Sequence, residues 1–481
     1  MKQRLSTLIT SLVQTDHSLP DTYVSGIALH SNDVKEGYLY IAIQGTKFDG
    51  HDFIPDAVSK GASAVITNGR DLGDLPIPQI KIANPRRAAS ILAAEFYGHP
   101  SKKLTVVGIT GTNGKTTTVS LLTSILKSHG FKTAQMGTLG LIADGYPQQK
   151  TLTTSDPVSL HKTFSDLLQN DFTHVVMEVS SHALHQLRVA DVDFNLAVFT
   201  NLTPEHLDYH GSMEEYYHTK SKLFQTLPIT ATAVVNKDDA YGEKICSDCS
   251  APILTTSVSS KNDIHFQHVQ TSATGISGDI QAGEHIYQIE SSLIGRFNLE
   301  NILSAVASAH AMGIPASAIE AGIRDCHVIP GRMETFTTTT KGTVIVDYAH
   351  TPDSYEQVLS TIRGLSQGWM SVLFGVGGDR DASKRPIMAT IAEKHADFCY
   401  IAPDNPRWED PSVLNNEVVS GFTGESYQVF LDRGEALKTA LATLKNGDVL
   451  IVLGKGREEY QDVRGEKIQY SDIKIIQSYC V

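Results

Sequence analysis

The chain has 481 residues, of which 41% are hydrophobic and 19% charged; that length makes about three ordinary domains, each able to bury a normal core. This composition excludes disordered, collagen-like and mucin-like classes. Lys plus Arg is 40 and Asp plus Glu is 53, so the net charge of −13 lacks the basic footprint of a nucleic-acid binder.

Residues 1–100 carry short strand-like runs, Tyr38 to Ile43 and Ala64 to Thr67, and a helical stretch from Arg86 to Tyr97. Gly98-His99-Pro100-Ser101 punctuates the pattern as a linker. Thr105 to Thr110 then reads as a buried strand, followed by a Gly-rich turn and a helical pattern through Lys127. Further apolar strands recur at Val175–Met177, Leu196–Phe199 and Ala233–Val235. Strands alternating with helices predict a parallel sheet covered on both faces. Between Ile264 and Ile294 the pattern alternates without helices and predicts a small antiparallel appendage. A helix is expected over Asn298–Met312, and a break near Pro330-Gly331. Strands at Thr343–Val346, Ser371–Phe374, Phe398–Ile401 and Val449–Val452 predict a second α/β domain. The fold class is therefore α/β with three domains: a small α/β domain at 1–100, a central phosphate-loop parallel sheet at 101–330, and a Rossmann-like C-terminal domain at 331–481.

Five cysteines make no disulfide framework. Cys246 and Cys249 form a CxxC without a second pair or a nearby His, so ordinary thiols and a reducing compartment are expected. The N-terminal stretch lacks a cleavage site, and no apolar run reaches the ~18 residues of a membrane span. A cytoplasmic protein that contacts neither membrane nor nucleic acid is expected.

Gly111-Thr112-Asn113-Gly114-Lys115-Thr116-Thr117 lies between that first central strand and its helix, the context a phosphate loop requires. Glycines let backbone N–H groups wrap an anion, and the helix N-terminus adds positive potential. Lys115 suits the β- and γ-phosphates of a nucleotide, and the Thr116 hydroxyl suits Mg²⁺. The strict spacing asks for Gly at 109, where the chain has Ile, with Gly108 and Gly111 on either side. Glu178 ends a strand at the carboxyl edge, where ligands gather. Lys220 reads by composition as a surface lysine.

The GTNGKTT form resembles the Mur ligase family, which includes folylpolyglutamate synthetases. The resemblance covers essentially the whole chain through Met177-Glu178-Val179-Ser180-Ser181-His182, Thr200-Asn201-Leu202, His206 to Gly211, Gly331-Arg332-Met333-Glu334, Asp347 to Asp353, Gly377 to Asp381, Asp404-Asn405-Pro406-Arg407 and Gly454-Lys455-Gly456. It implies an ATP-dependent amide ligase working through an acyl phosphate, with ATP and Mg²⁺ required. By the match, Lys115, Glu178, His206 and Lys220 are catalytic, and Thr116, Glu178, His206 and Lys220 hold the metal. Lys220 matches the lysine that is carbamylated in the family (N6-carboxylysine), with Lys222 the neighbouring competitor. The loop residues Gly111 to Thr117, with Asn298, Arg332, Asp347 and His350, would hold ATP.

The resemblance further implies the branch that joins meso-diaminopimelate to UDP-N-acetylmuramoyl-L-alanyl-D-glutamate. Thr153, Thr154, Ser180, Gln186 and Arg188 would contact the UDP-sugar peptide, and Leu29, Ser31, Thr46, Lys47 and Phe48 its uridine end. Arg380, Asp404, Asn405, Pro406, Arg407, Gly454 and Glu458 would form the amino-acid pocket. Arg407 can hold the second carboxylate of meso-diaminopimelate bidentately, which lysine lacks. His30-Ser31-Asn32 stands where the family has Asp-Ser-Arg, and Arg457 stands where it often has His, an added cation beside the pocket. The alternatives are the same ligase using L-lysine, a folylpolyglutamate synthetase-like ligase, or a nucleotide-binding scaffold with a decayed site. A monomer is expected.

Overall fold

In the computed structural model, the described residues are 2–12, 22–45, 48–70, 72–147 and 152–480. Three main sheets follow one another along the chain. The first has four parallel strands, Gly26–Ala28, Tyr38–Ile41, Ala64–Thr67 and Gln79–Lys81, paired in chain order. The helix Pro85–Phe96 covers it, started by the Asn84 side chain accepting from the Arg87 N–H.

The central sheet has ten strands. Thr105–Thr110 lies between Leu196–Phe199 and His174–Glu178, all parallel. The middle residues of these strands are apolar because both faces are buried. Val106, Val175 and Met177 enter one core cluster, while Val107, Ile109 and Val176 enter the other. The helix Lys115–Ser128 follows the first strand. It packs on Ala316–Asp325 so closely that a Cβ at Gly322 would lie 2.3 Å from the Ile125 Cα.

The three strands Ile264–Ser272, Gly275–Ala282 and His285–Ser291 are antiparallel, as the alternation predicts. They are also continuous with the central sheet, because Thr256 and Ser257 pair in parallel with Ile264 and His265. The helix Phe297–Ala311 starts beside the phosphate loop, where Asn301 meets Gly114, and packs on Lys115–Ser128.

The third sheet runs Glu334–Thr337, Thr343–Asp347, Val449–Leu453, Met370–Phe374, Phe398–Ile401, Tyr427–Val429. Its first strand is antiparallel and the rest are parallel. The carboxyl ends of these strands face the carboxyl ends of the central strands across one cavity. No helix among the described residues is long and apolar enough to cross a membrane.

Candidate active site

The cavity between the central and C-terminal sheets has a volume of about 780 Å³. Its floor is the phosphate loop. Gly111 and Gly114 have φ of 154° and 84°, and a Cβ at either would strike Thr200 Oγ1 or Asn301 Oδ1. Only glycine admits both the conformation and the approach. Asn201 closes the loop from outside, with its side chain accepting from the Asn113 N–H (2.8 Å) and its carbonyl from the Thr112 N–H (2.9 Å). Lys115 Nζ donates to the Gly111 and Thr112 carbonyls (2.9 and 2.8 Å). Burial lowers its pKa against the opposing pull of Glu205 and Glu178.

Glu178 is buried at the strand end and accepts from the Thr116 hydroxyl (2.9 Å) and the Thr138 N–H (2.8 Å). The Thr116 hydroxyl in turn accepts from Arg332 Nη2 (2.9 Å). The Arg332 guanidinium lies 4.8 Å from the centre of the Tyr348 ring. Asp347, at the end of its own strand, accepts from the Met333 and Ala349 N–H groups, and burial raises its carboxyl despite Arg332.

His206 has a left-handed backbone (φ 56°), and burial pushes its ring down to about 3, so the imidazole is neutral. Its neighbour Glu205 accepts from His350 Nε2 (2.8 Å). Burial pushes Glu205 up, but the His350 hydrogen bond and the Lys115 charge work against it, and the carboxyl is held well below its usual range. A non-glycine residue in this conformation costs roughly 1–3 kcal/mol and persists only where its surroundings fix it.

Thr116 and Glu178 are hard oxygen donors at the cavity floor, and the neutral ring of His206 lines the same space. Among the described residues no three His, Cys, Asp or Glu side chains form a closed metal cage. An open donor set of this kind suits Mg²⁺, which binds through one or two carboxylates and substrate phosphates.

Lys220 is buried beneath the loop, not in the cavity wall, and donates to the Gly111 carbonyl (2.8 Å). Burial and then the Lys115 charge hold its pKa well below the lysine range.

On the sugar-peptide side, the Thr154 hydroxyl donates to the Glu178 carbonyl (2.9 Å) and accepts from the Ser180 N–H (3.0 Å). Arg188 reaches the Thr154 carbonyl (2.8 Å), steadied by Gln186 Oε1 (2.7 Å). Thr153 and Thr154 thus share the cavity with Ser180 and Arg188, and Gln186 orients Arg188 from behind. Leu29, Ser31 and Phe48 belong to the N-terminal domain and are not among the cavity walls. Leu29 packs on that domain's core, Ser31 is buried beside Asp56, and Phe48 is 73% exposed. Asn32 accepts from Lys60 (3.1 Å). Thr46 and Lys47 lie outside the described residues.

The opposite wall gathers Arg380, Asp404, Asn405, Arg407, Gly454 and Glu458. Asn405 Nδ2 donates to Glu458 Oε2 (2.9 Å). Arg407, with φ 53°, donates to the Gly378 carbonyl. The acids that could have neutralised it are engaged elsewhere. Glu409 pairs with both terminal nitrogens of Arg385 (2.9 Å each), and Asp410 caps the helix Pro411–Val419. Pro406 places only its backbone near the pocket, against Gly378. Arg457, predicted as a cation beside the pocket, instead makes a two-point ion pair with the buried Glu334. Asn298 and Asn301 line the nucleotide end, joined by a 2.9 Å bond.

Several cavity residues escape a reading of the sequence: Glu205, Asn301 and Lys384. Asn201, Tyr348 and Asp353, the last accepting from Asn113 Nδ2 (2.9 Å), are quoted in motifs but carry no role there. Cys246 and Cys249 are free thiols whose pKa burial raises.

A phosphate loop facing a cation-and-carboxylate pocket across one cavity is the arrangement of an ATP-dependent amide ligase. Three family models match in order: "Mur ligase family, catalytic domain" over residues 23–97, "Mur ligase middle domain" over 109–309, and "Mur ligase, glutamate ligase domain" over 331–456. The UDP-N-acetylmuramoyl-L-alanyl-D-glutamate--2,6-diaminopimelate ligase of Bacillus cereus is 38% identical, covering 98% of this chain and 97% of that one. The enzyme of the same name from Aquifex aeolicus is 38% identical over 97% and 95%. A solved structure of a ligase of that name aligns over 100% of this chain and 99% of its own, with TM-score 0.70 and 30% identity. MurF from Thermotoga maritima in complex with ADP shares the fold, with TM-score 0.66, 18% identity and coverage of 94% and 96%. The chain belongs to the Mur ligase family.

Proposed function

We propose that the chain joins meso-diaminopimelate to UDP-N-acetylmuramoyl-L-alanyl-D-glutamate at the expense of ATP, in peptidoglycan precursor synthesis. The observation that carries this reading is the placement of Arg407, whose neighbouring acids Glu409 and Asp410 bond to other groups, and Glu458 across one cavity from the phosphate loop. The relatives' shared name supports the same substrates.

The substrate carboxylate attacks the γ-phosphorus of ATP, giving an acyl phosphate and ADP. The neutral amine of the diamino acid then attacks the acyl carbon, phosphate leaves and the amine proton is lost. The loop N–H groups and Lys115 face the oxygens where negative charge gathers. Thr116, Glu178, His206 and, once carbamylated, Lys220 would hold Mg²⁺, which supplies further charge neutralisation at the phosphates. Arg332, Asn298, Asp347 and His350 fix the nucleotide between two domains, and that approximation is itself a large part of catalysis. Thr154, Ser180 and Arg188 orient the sugar-peptide, and Gln186 holds Arg188 in place. Leu29, Ser31, Thr46, Lys47 and Phe48 take its uridine end.

Lys220 is buried against the Gly111 carbonyl and next to Lys115, so its neutral amine is favoured and can add to carbon dioxide. The resulting carbamate is an anion placed under the loop. Domain limits fall at residues 100/101 and 330/331, and the enzyme works as a cytoplasmic monomer.

Phosphate release is the test, measured with ATP, Mg²⁺ and the UDP-dipeptide. Turnover with meso-diaminopimelate and little with L-lysine is expected. Turnover with lysine alone would overturn the assigned amino acid, and no turnover with any diamino acid would overturn the reaction.

A further inference from the structure

We propose that Lys455, which does not line the cavity, is the positioning residue that sets the charge and geometry of the amino-acid pocket, and with them its choice of acceptor. The inference rests on the reading of that pocket as the diamino-acid site.

The side chain of Lys455 is fully buried at the end of strand Val449–Leu453. Its ammonium has three side-chain partners, and all three belong to the pocket: Asp404 Oδ1 (3.2 Å), Asn405 Oδ1 (3.0 Å) and Glu458 Oε2 (3.0 Å). Three donors meeting three acceptors satisfy a lysine completely. The partners are constrained in return. Asn405 Oδ1 accepts from both Lys455 and the Asp462 N–H (2.9 Å), so its amide must turn Nδ2 toward Glu458. Glu458 Oε2 is then occupied twice, which directs the remaining oxygen toward the cavity and the Tyr348 hydroxyl (3.5 Å). Gly454 makes this possible: at φ 104° a Cβ would lie 2.7 Å from Asp404 Oδ2 and push that carboxylate off the lysine.

The charge count is the second consequence. Asp404 and Glu458 bring two negative charges into the pocket and Arg407 one positive charge, while Arg380 lies 3.7 Å from Asp208. Lys455 brings the sum from one negative charge to zero. A pocket freed of that negative excess favours an acceptor carrying a second carboxylate over one that lacks it. Without Lys455, two partly freed carboxylates attract an ammonium more strongly, and a ligand with a single carboxylate gains.

The experiment compares wild type with K455M, K455Q and K455R as full-length enzyme. For K455M the KM for meso-diaminopimelate should rise and its kcat/KM advantage over L-lysine should shrink, each by about tenfold or more. The KM values for ATP and the UDP-dipeptide should stay within about twofold. K455R, which keeps the charge, should recover part of the selectivity. An unchanged selectivity ratio in folded K455M, or an equal rise in all three KM values, would overturn the proposal. Should K455M fail to fold, K455Q carries the same expectation; failure of both to fold would assign Lys455 to the core alone. Wild type inactive with every diamino acid would instead refute the functional reading.

Discussion

Arg332 Nη2 donates to the Thr116 hydroxyl across 2.9 Å, joining the start of the C-terminal domain to the phosphate-loop helix. The same hydroxyl donates to Glu178, so one oxygen connects a cation from one domain with a carboxylate from the other. Arg332 also stacks on Tyr348, whose hydroxyl faces Glu458 in the amino-acid pocket. The nucleotide floor and the acceptor wall are therefore linked through two side chains. Arg332→Lys keeps a charge but loses the planar group that bonds and stacks at once. Losing one charged hydrogen bond of this kind costs about 1.5–3 kcal/mol. We expect kcat/KM for ATP to fall by about 10–100-fold, with folding retained. An unchanged value in steady-state kinetics would remove Arg332 from the nucleotide site.

Arg407 gives a prediction on the opposite wall. Its guanidinium faces the cavity while Glu409 is held by Arg385. Arg407→Ala would leave a substrate carboxylate unpaired and cost about 2–4 kcal/mol of transition-state binding. The loss should fall on meso-diaminopimelate and spare lysine. Competition kinetics with both amino acids check this, and an unaltered preference would refute the role.

Among the described residues Lys220 forms no ion pair with an acid, and its hydrogen bond goes to the loop itself. Lys220→Ala should be nearly inactive and should regain part of its rate with added short carboxylic acids. Labelled bicarbonate should give a carbamate signal in wild type and none in the variant. Full activity of the variant would transfer the modified position elsewhere, first to Lys222.

How much of this was legible beforehand depends on whether the signal is local. Thr105–Thr110 carries an apolar centre, Val106 to Ile109, because it is buried on both faces, and the loop after it needs glycines at fixed places. The hairpins after Ile264 betray their alternation, but not their junction with the central sheet, which rests on only two residue pairs. Arg457 looks like a pocket cation until Glu334, 123 residues away, is seen to hold it. Glu205 and Tyr348 gain meaning only from His350 and Glu458, partners that no spacing rule connects to them. Lys220 reads as a surface residue because its burial arises from the loop folding over it.

His161 supplies a prediction on stability. It lies in the helix Pro157–Gln169, which packs on Pro85–Phe96 of the N-terminal domain, and its ring is fully buried. Neither ring nitrogen has a hydrogen-bond partner among the described residues. Burial pushes its pKa down to about 4; the nearby acids Asp191 and Asp193 pull upward and His99 pushes further down. The unfolded chain, with an ordinary histidine near 6.5, therefore binds a proton more readily than the folded one. The neutral ring's contribution is complete above that pH and is lost as pH falls from about 6.5 toward 4. The shift corresponds to about 3 kcal/mol, as an upper figure. Denaturant unfolding of wild type should lose stability across this window more steeply than His161→Phe, which keeps the ring's bulk and cannot charge. Parallel pH profiles for the two proteins would mean that His161 is protonated without cost, and that its site is wetter than the packing around it.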